Sequence, residues 1–177
     1  MAHAPRSMSP KERRDAKNAR ILIGREDQQD LFTRSLLQPG HREAKLIFSI
    51  SGQGGVGKTT LLKEFRRIAE GHGDVVAYVD EGRLMRETQE VLTPLFLEGV
   101  GKVAIDKTLV LLLDTYEVTG TFLDEWVRSL LEERFGALDR SVLVCIAGRS
   151  PIDANAWAGW EDFVARSPLE PLKWSKT

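Results

Sequence analysis

The chain has 177 residues, of which 42% are hydrophobic and 29% charged, and its formal net charge is −1. This composition argues against a chain that is disordered throughout, and the net charge does not indicate a strongly basic nucleic-acid-binding protein. The one cysteine, Cys145, excludes an internal disulfide, and the scattered cysteine and histidine residues do not form a zinc-binding pattern. The longest apolar run near the middle covers only residues 109–113, whereas a membrane helix needs about 20 residues. Since the N-terminus has no apolar signal core, we expect a cytoplasmic protein.

The first 20 residues differ in charge from the rest of the chain. They carry six basic and two acidic side chains, a net charge of +4, so the remaining residues sum to −5. This segment also contains Pro5, Pro10, Ser7 and Ser9. We interpret residues 1–20 as a disordered basic leader and residues 21–177 as the folded domain. The alternative to a plain solvated leader is a contact with a phosphate backbone or another anionic surface.

From residue 21 onward, short apolar runs alternate with segments of helical periodicity. The runs predict buried strands over residues 45–51, 75–80, 109–113 and 142–147, with a short fifth strand over 169–172. Helices are predicted over residues 26–37, 59–68, 84–98, 122–135 and 154–165. Strands that are apolar throughout imply a parallel sheet with helices on both faces, which is a doubly wound, three-layer α/β domain. Such a sheet binds its ligands at the carboxyl ends of the strands.

The segment after the first predicted strand carries a phosphate-binding motif. It matches G-x-x-x-x-G-K-[ST] at every fixed position and lies between a predicted strand and a predicted helix, as the motif requires. Glycines let successive N–H groups point into one concavity that holds phosphate oxygens. The motif predicts that Lys58 reaches the β- and γ-phosphates and that Thr59 binds Mg²⁺. Thr60 is either a second hydroxyl near the α-phosphate or a plain helix residue. The loop consists of Gly52, Gln53, Gly54, Gly55, Val56, Gly57, Lys58 and Thr59.

Two acidic residues follow the third predicted strand. Asp114 ends a run of the Walker B type, in which a buried strand delivers a carboxylate that holds Mg²⁺ through water. Many nucleotide-hydrolysing proteins with these motifs carry a water-activating carboxylate directly after this aspartate. Here that residue is Thr115. Glu117 is the nearest substitute, either as the general base or as a helix-capping or solvated acid.

Two further segments are weaker candidates for the same site. Arg149 follows the fourth predicted strand, where it would hydrogen-bond the γ-phosphate, or else serve on the surface or as a helix cap. Gly24 and Arg25 belong to an apolar extended piece that either lies across a purine ring or is a linker. No guanine-reading Asn-Lys-x-Asp run is present, which modestly favours adenine.

Taken together, these motifs resemble the nucleotide-binding domain of STAND ATPases, the signal-transducing relatives of AAA+ proteins that include the NB-ARC domains. The resemblance covers roughly residues 21–172. It implies ATP or ADP as ligand with Mg²⁺, and a five-stranded sheet in the order 5-1-4-3-2. It also implies that the segment Gly24–Arg25 packs on adenine and that Arg149 is the sensor arginine. STAND proteins continue into a helical lid and effector regions, so we expect a chain that is truncated before the lid.

Three functions fit this pattern. The first is an ATP-binding regulatory module with slow Mg²⁺-dependent hydrolysis, the core of a signal-transduction switch acting with a protein partner or further domains. The second is an oligomeric, DNA-associated ATPase of the AAA+ type, which would need an arginine in trans, for which Arg166 is a weak candidate. The third is a small metabolite kinase, although no motif for an acceptor substrate is evident.

Overall fold

The computed structural model describes residues 24–39, 41–80, 107–116, 121–135 and 142–171, together with residue 9. The elements in chain order are α1 (Glu26–Leu37), β1 (Ile47–Ser51), α2 (Lys58–Gly71), β2 (Val75–Asp80), β3 (Leu109–Asp114), α3 (Thr121–Ser129), β4 (Val142–Gly148) and β5 (Val164–Pro168). A π-helical segment, Leu130–Phe135, continues α3, and a 3₁₀ turn, Glu161–Phe163, precedes β5. The predicted basic leader apart from residue 9, the predicted helix over 84–98 and Glu117 lie outside the described residues.

The five strands form one parallel sheet in the order β2-β3-β4-β1-β5. This confirms the predicted doubly wound α/β fold, and it is the order 5-1-4-3-2 read from the opposite edge. All residues of β3 and β4 are buried, as expected for central strands whose two faces are both covered by other elements. In this order, β4 lies between β1 and β3.

Alternation along the strands divides the core into two clusters, one on each face of the sheet. On one face, strand residues such as Phe48, Val110 and Leu112 pack with the apolar sides of α1 and α2. There Phe32 of α1 stacks on Phe65 of α2 with ring centroids 4.1 Å apart. On the other face, residues such as Leu111 and Val144 pack against α3 and Trp157. Because each fully buried large apolar side chain contributes about 1.5–3 kcal/mol, these clusters hold the three layers together.

Two predictions for the C-terminal part of the domain are wrong. No continuous helix forms over residues 154–165, because Gly159 has φ of +86° and the chain there runs through turns. The aromatic residues at positions 157, 160 and 163 mimic a helical period, but Trp157 is buried while Phe163 is 45% exposed. The fifth strand is Val164–Pro168 rather than 169–172. Leu169 follows that strand, and its N–H donates to the carbonyl of Ser51 at 2.6 Å.

The lone cysteine of the chain lies in the core of the sheet. Cys145 is buried in β4, and this burial raises the pKa of its thiol well above the ordinary value, so it is an inert core residue. Among the described residues, no group of acidic, histidine or cysteine side chains is arranged as a self-contained metal cluster. No helix in the described ranges is long and apolar enough to span a membrane.

Candidate functional site

The predicted phosphate loop connects the carboxyl end of β1 to the first residue of α2. It begins at Gly52, directly after Ser51, and ends where α2 starts at Lys58. Gln53, Gly54 and Gly55 are exposed, and a Cβ built on either of those two glycines would meet nothing within 4 Å. The outer part of the loop is therefore open to solvent and free of obstruction by neighbouring atoms.

Gly52 directly follows β1 and lies beside the residues that follow β4 and β5. Its N–H donates to the carbonyl of Arg149, just after β4, at 3.2 Å. A Cβ on Gly52 would lie 2.6 Å from the carbonyl oxygen of Leu169, just after β5. No side chain fits in that space without a backbone shift. Close packing therefore requires glycine at this position, whether or not the loop binds phosphate.

The N-terminus of α2 is open for an anion. Gly57 precedes the helix with φ of +98°, a left-handed conformation that favours glycine. No side chain caps the helix, and its first turn contains no acidic residue. The first backbone N–H groups of a helix lack intrahelical partners, and the helix dipole places positive potential there. The oxygens of a phosphate group can accept hydrogen bonds from these N–H groups, and the positive potential stabilises its negative charge.

Lys58 closes the loop on itself in this structure. Its ammonium Nζ donates to the carbonyl of Gly52 at 2.6 Å and to that of Gln53 at 3.0 Å. The charged group is thus held against the backbone at the start of the loop. Thr59 is exposed on the next position of the helix, and Thr60 is half-buried.

Asp114 ends β3 on the same face of the sheet as α2. Alternation along the strand places its side chain on the face of Val110 and Leu112, which pack in the cluster with α2. Asp114 is only 7% exposed. Its Oδ2 accepts a hydrogen bond from the Tyr78 hydroxyl at 2.7 Å, and its Oδ1 accepts from the N–H of Thr115 at 3.0 Å. The carboxylate therefore has a defined orientation at the edge where the phosphate loop lies.

The residue after Asp114 has an unusual backbone conformation. Thr115 has φ of +69°, which for a β-branched residue is a genuine outlier that costs about 1–3 kcal/mol. The turn lets the Thr115 N–H reach the carboxylate of Asp114. Glu117, the predicted base, lies outside the described residues, so its role stays a prediction.

Arg149 and Arg25 each hydrogen-bond the backbone of the phosphate loop. Arg149 is exposed immediately after β4, with its backbone carbonyl on Gly52. Arg25 is buried, and its Nη2 donates to the carbonyl of Glu170 at 2.6 Å and, at 3.4 Å, to that of Val56. Arg25 thus ties the segment before α1 to the phosphate loop and to the chain after β5. That the segment Gly24–Arg25 covers adenine stays a prediction.

The residues present fit a nucleotide phosphate chain with Mg²⁺. An open glycine loop, an uncapped helix N-terminus and a lysine provide donors for phosphate oxygens. Thr59 supplies a hydroxyl and Asp114 a carboxylate, which are oxygen groups of the kind that Mg²⁺ or its water shell prefers. Bound there, Mg²⁺ would neutralise negative charge on the phosphates.

Two contacts near this edge do not follow from the sequence patterns. The pattern places Tyr78 only on a strand, because its distance from Asp114 depends on how β2 pairs with β3. The second contact is the buried carboxylate of Asp124 in α3. It accepts from the indole N–H of Trp157 at 2.6 Å and from the Tyr116 hydroxyl at 2.5 Å. Aromatic residues with a polar atom near a strand end are the only sequence signal for either contact.

Fold and site together define a P-loop nucleotide-binding domain. A family model described as AAA ATPase domain matches residues 21–157. That range includes the phosphate loop, Asp114 and Arg149, and it covers well over half of the chain. The chain therefore belongs to the AAA ATPase domain family. A search among curated protein sequences found no match.

Solved structures agree on the fold. The replication initiator DnaA, bound to AMPPCP and single-stranded DNA, is similar with a TM-score of 0.51 and 16% identity, over 80% of this chain and 44% of that one. RuvB of Thermotoga maritima is similar with a TM-score of 0.53 and 14% identity, over 82% of this chain and 44% of that one. The chain thus spans less than half the length of either structure. At such low identity the likeness establishes the fold alone.

Proposed function

We propose that this chain is an ATP- and ADP-binding regulatory module that hydrolyses ATP slowly with Mg²⁺. The observation that carries the proposal is the pairing of an open phosphate loop with Asp114 at one sheet edge, while Thr115 follows that aspartate. The first two features serve nucleotide binding. The third leaves the position next to the metal-binding carboxylate without an acid to activate water.

Each candidate residue has a role in the proposal. The backbone of residues 52–57 and the ammonium of Lys58 hold the phosphates, for which Lys58 must leave the carbonyls of Gly52 and Gln53. Thr59 and Asp114 hold the metal. Arg149, exposed beside Gly52, binds the γ-phosphate and so distinguishes ATP from ADP. Glu117 orients or deprotonates the attacking water.

The hypothesis of a regulatory role rests on the resemblance to STAND ATPases and on the expectation of slow ATP hydrolysis. A switch must stay in its ATP state long enough to be read by a partner. P-loop switches without an activating partner turn over far more slowly than 1 s⁻¹. We further propose that residues 1–20 are a leader outside the nucleotide-binding domain, which covers residues 21–177.

The steady-state turnover of ATP, measured as phosphate release by the full chain in Mg²⁺ without partners, tests this proposal. The expected rate is well below ~1 s⁻¹, and it should fall further in Lys58→Ala. A rate well above ~1 s⁻¹ that depends on Lys58 would contradict the switch and identify a motor or metabolic enzyme.

A second candidate function is a DNA-associated ATPase. Two observations favour it: the similar fold of DnaA in its complex with single-stranded DNA, and the net charge of +4 on residues 1–20. The assay above discriminates the two functions when single-stranded DNA is added. Stimulation of turnover by DNA, lost as salt rises because phosphate contacts release counterions, would favour this candidate. An unchanged rate would favour the regulatory module.

A further inference from the structure

Both oxygens of the Asp114 carboxylate are held by donors from this chain. The Tyr78 hydroxyl donates to Oδ2 at 2.7 Å, and the Thr115 N–H donates to Oδ1 at 3.0 Å. The second donor is the next residue along the backbone, so it comes with the turn that ends β3. The first comes from another strand and depends on a single side chain.

The pairing of β2 with β3 explains why Tyr78 reaches this carboxylate. Tyr78 lies opposite Leu112, and Asp80 lies opposite Asp114, in parallel register. Tyr78 and Asp114 are therefore diagonal neighbours on one face of the sheet, a separation that an aromatic side chain spans. The ring of Tyr78 packs against the apolar cluster formed with α1 and α2. This packing fixes the ring and leaves the hydroxyl aimed at the aspartate.

A carboxylate needs such a partner to hold one orientation. The torsion that rotates the carboxyl group of aspartate has a broad, soft energy profile. Each carboxylate oxygen can accept about two hydrogen bonds. One donor on each oxygen therefore leaves one acceptor position per oxygen available to metal-bound water. A donor on the outer side of a metal-binding group commonly changes metal affinity about 10- to 100-fold.

We propose that Tyr78 is a positioning residue that orients Asp114 for Mg²⁺ in the nucleotide complex. The inference rests on the proposed function, because it takes Asp114 as the metal-binding carboxylate. The inference goes beyond the proposed function because it assigns a role to Tyr78, a residue outside the motifs of the site. Tyr78 acts through Asp114 and does not contact the nucleotide.

The variant Tyr78→Phe tests the proposal, since it removes the hydroxyl and keeps the ring in its apolar contacts. Binding of ATP is measured by calorimetry, first in EDTA and then across a series of Mg²⁺ concentrations. We expect the affinity in EDTA to equal that of the wild type, because the phosphate loop is untouched. The Mg²⁺ concentration that gives half of the full enhancement should rise about 10-fold.

Tyr116→Phe is the matched control. It removes the other tyrosine hydroxyl of the chain, which donates to Asp124 rather than to Asp114. The Mg²⁺ midpoint of this variant should stay at the wild-type value even if its stability falls. An equal shift in both variants would mean a general loosening and would overturn the proposal. So would an unchanged or lowered midpoint in Tyr78→Phe, the latter showing that the hydroxyl competes with the metal.

A double variant isolates the coupling between the two residues. If Tyr78 acts through Asp114, then Tyr78→Phe should shift nothing further when combined with Asp114→Ala. A full additional shift in that background would overturn the proposal. Failure of the proposed function gives a different result: the wild-type chain would not bind ATP either in EDTA or in Mg²⁺, and both proposals would fall together.

Discussion

The chemistry at the residue scale centres on the end of β3, where a buried carboxylate meets a strained turn. Asp114 is oriented by two donors, one of which is the N–H of Thr115 at φ of +69°. Strain of this kind persists only where the surroundings impose it, and it concentrates at functional sites. The residue directly after the carboxylate is a threonine, so that position supplies no acid to activate water.

Glu117 is the residue that we expect to supply this acid. The change Glu117→Gln should leave ATP affinity intact, because the amide keeps the size of the side chain and the phosphate loop is unchanged. Hydrolysis should fall by about 10²–10⁴-fold, the usual contribution of a general base. Single-turnover phosphate release with saturating ATP measures the effect. Glu125→Gln, at an exposed position of α3, is the control. Equal rates in Glu117→Gln and the wild type would show that Glu117 is not the base.

At the scale of elements, a buried hydrogen-bonded carboxylate connects three segments around the site. Asp124 of α3 is 1% exposed and accepts from Tyr116, just after β3, and from Trp157, in the loop after β4. The segment that contains Tyr116 follows Asp114, and the segment that contains Trp157 follows Arg149. The contact thus fixes α3 against the two loops that leave the carboxyl edge beside the candidate site. Burial of a carboxylate requires such donors.

Removing this carboxylate should destabilise the domain. Asp124→Ala removes the carboxylate that accepts from the Tyr116 hydroxyl and from the Trp157 indole N–H, at a cost of about 2–4 kcal/mol in the free energy of unfolding. For a domain of this size, the midpoint of thermal unfolding should fall on the order of 10 °C. Glu125→Ala, the exposed neighbour on the same helix, should change stability by no more than about 0.5 kcal/mol. Comparable losses in the two variants would show that the buried contacts of Asp124 contribute nothing.

The same elements show what sequence patterns can and cannot predict. The apolar runs predict four strands within a residue or two, because strands buried on both faces have few polar positions. The phosphate loop is predicted from the spacing of its motif together with the predicted strand before it and the predicted helix after it. The segment around Trp157 is misassigned because aromatics three residues apart imitate a helix, although Gly159 turns the chain. The contacts of Tyr78 and Trp157 depend on strand register and on packing between distant segments, which a single sequence does not specify.

At the scale of the whole molecule, the order of the strands assembles the site. Because β4 lies between β1 and β3, the end of β4 places Arg149 between the phosphate loop and Asp114. The parallel register brings Ser51, Gly148 and Asp114 to the same edge, with Gly148 beside Ser51 and Ala147 beside Asp114. Residues distant in sequence thus meet through the topology of an AAA ATPase domain. This arrangement makes nucleotide binding the central property of the molecule.

Calorimetric titration of ATP into the wild-type chain and into Lys58→Ala tests that property most directly. We expect saturable binding by the wild type. In Lys58→Ala the affinity should fall on the order of 100-fold, because charge-assisted hydrogen bonds to the phosphates are lost. Lys63→Ala, at an exposed position of the same helix, should bind like the wild type. Equal ATP affinity in Lys58→Ala and the wild type, or no binding by the wild type, would show that this loop is not a nucleotide-binding site.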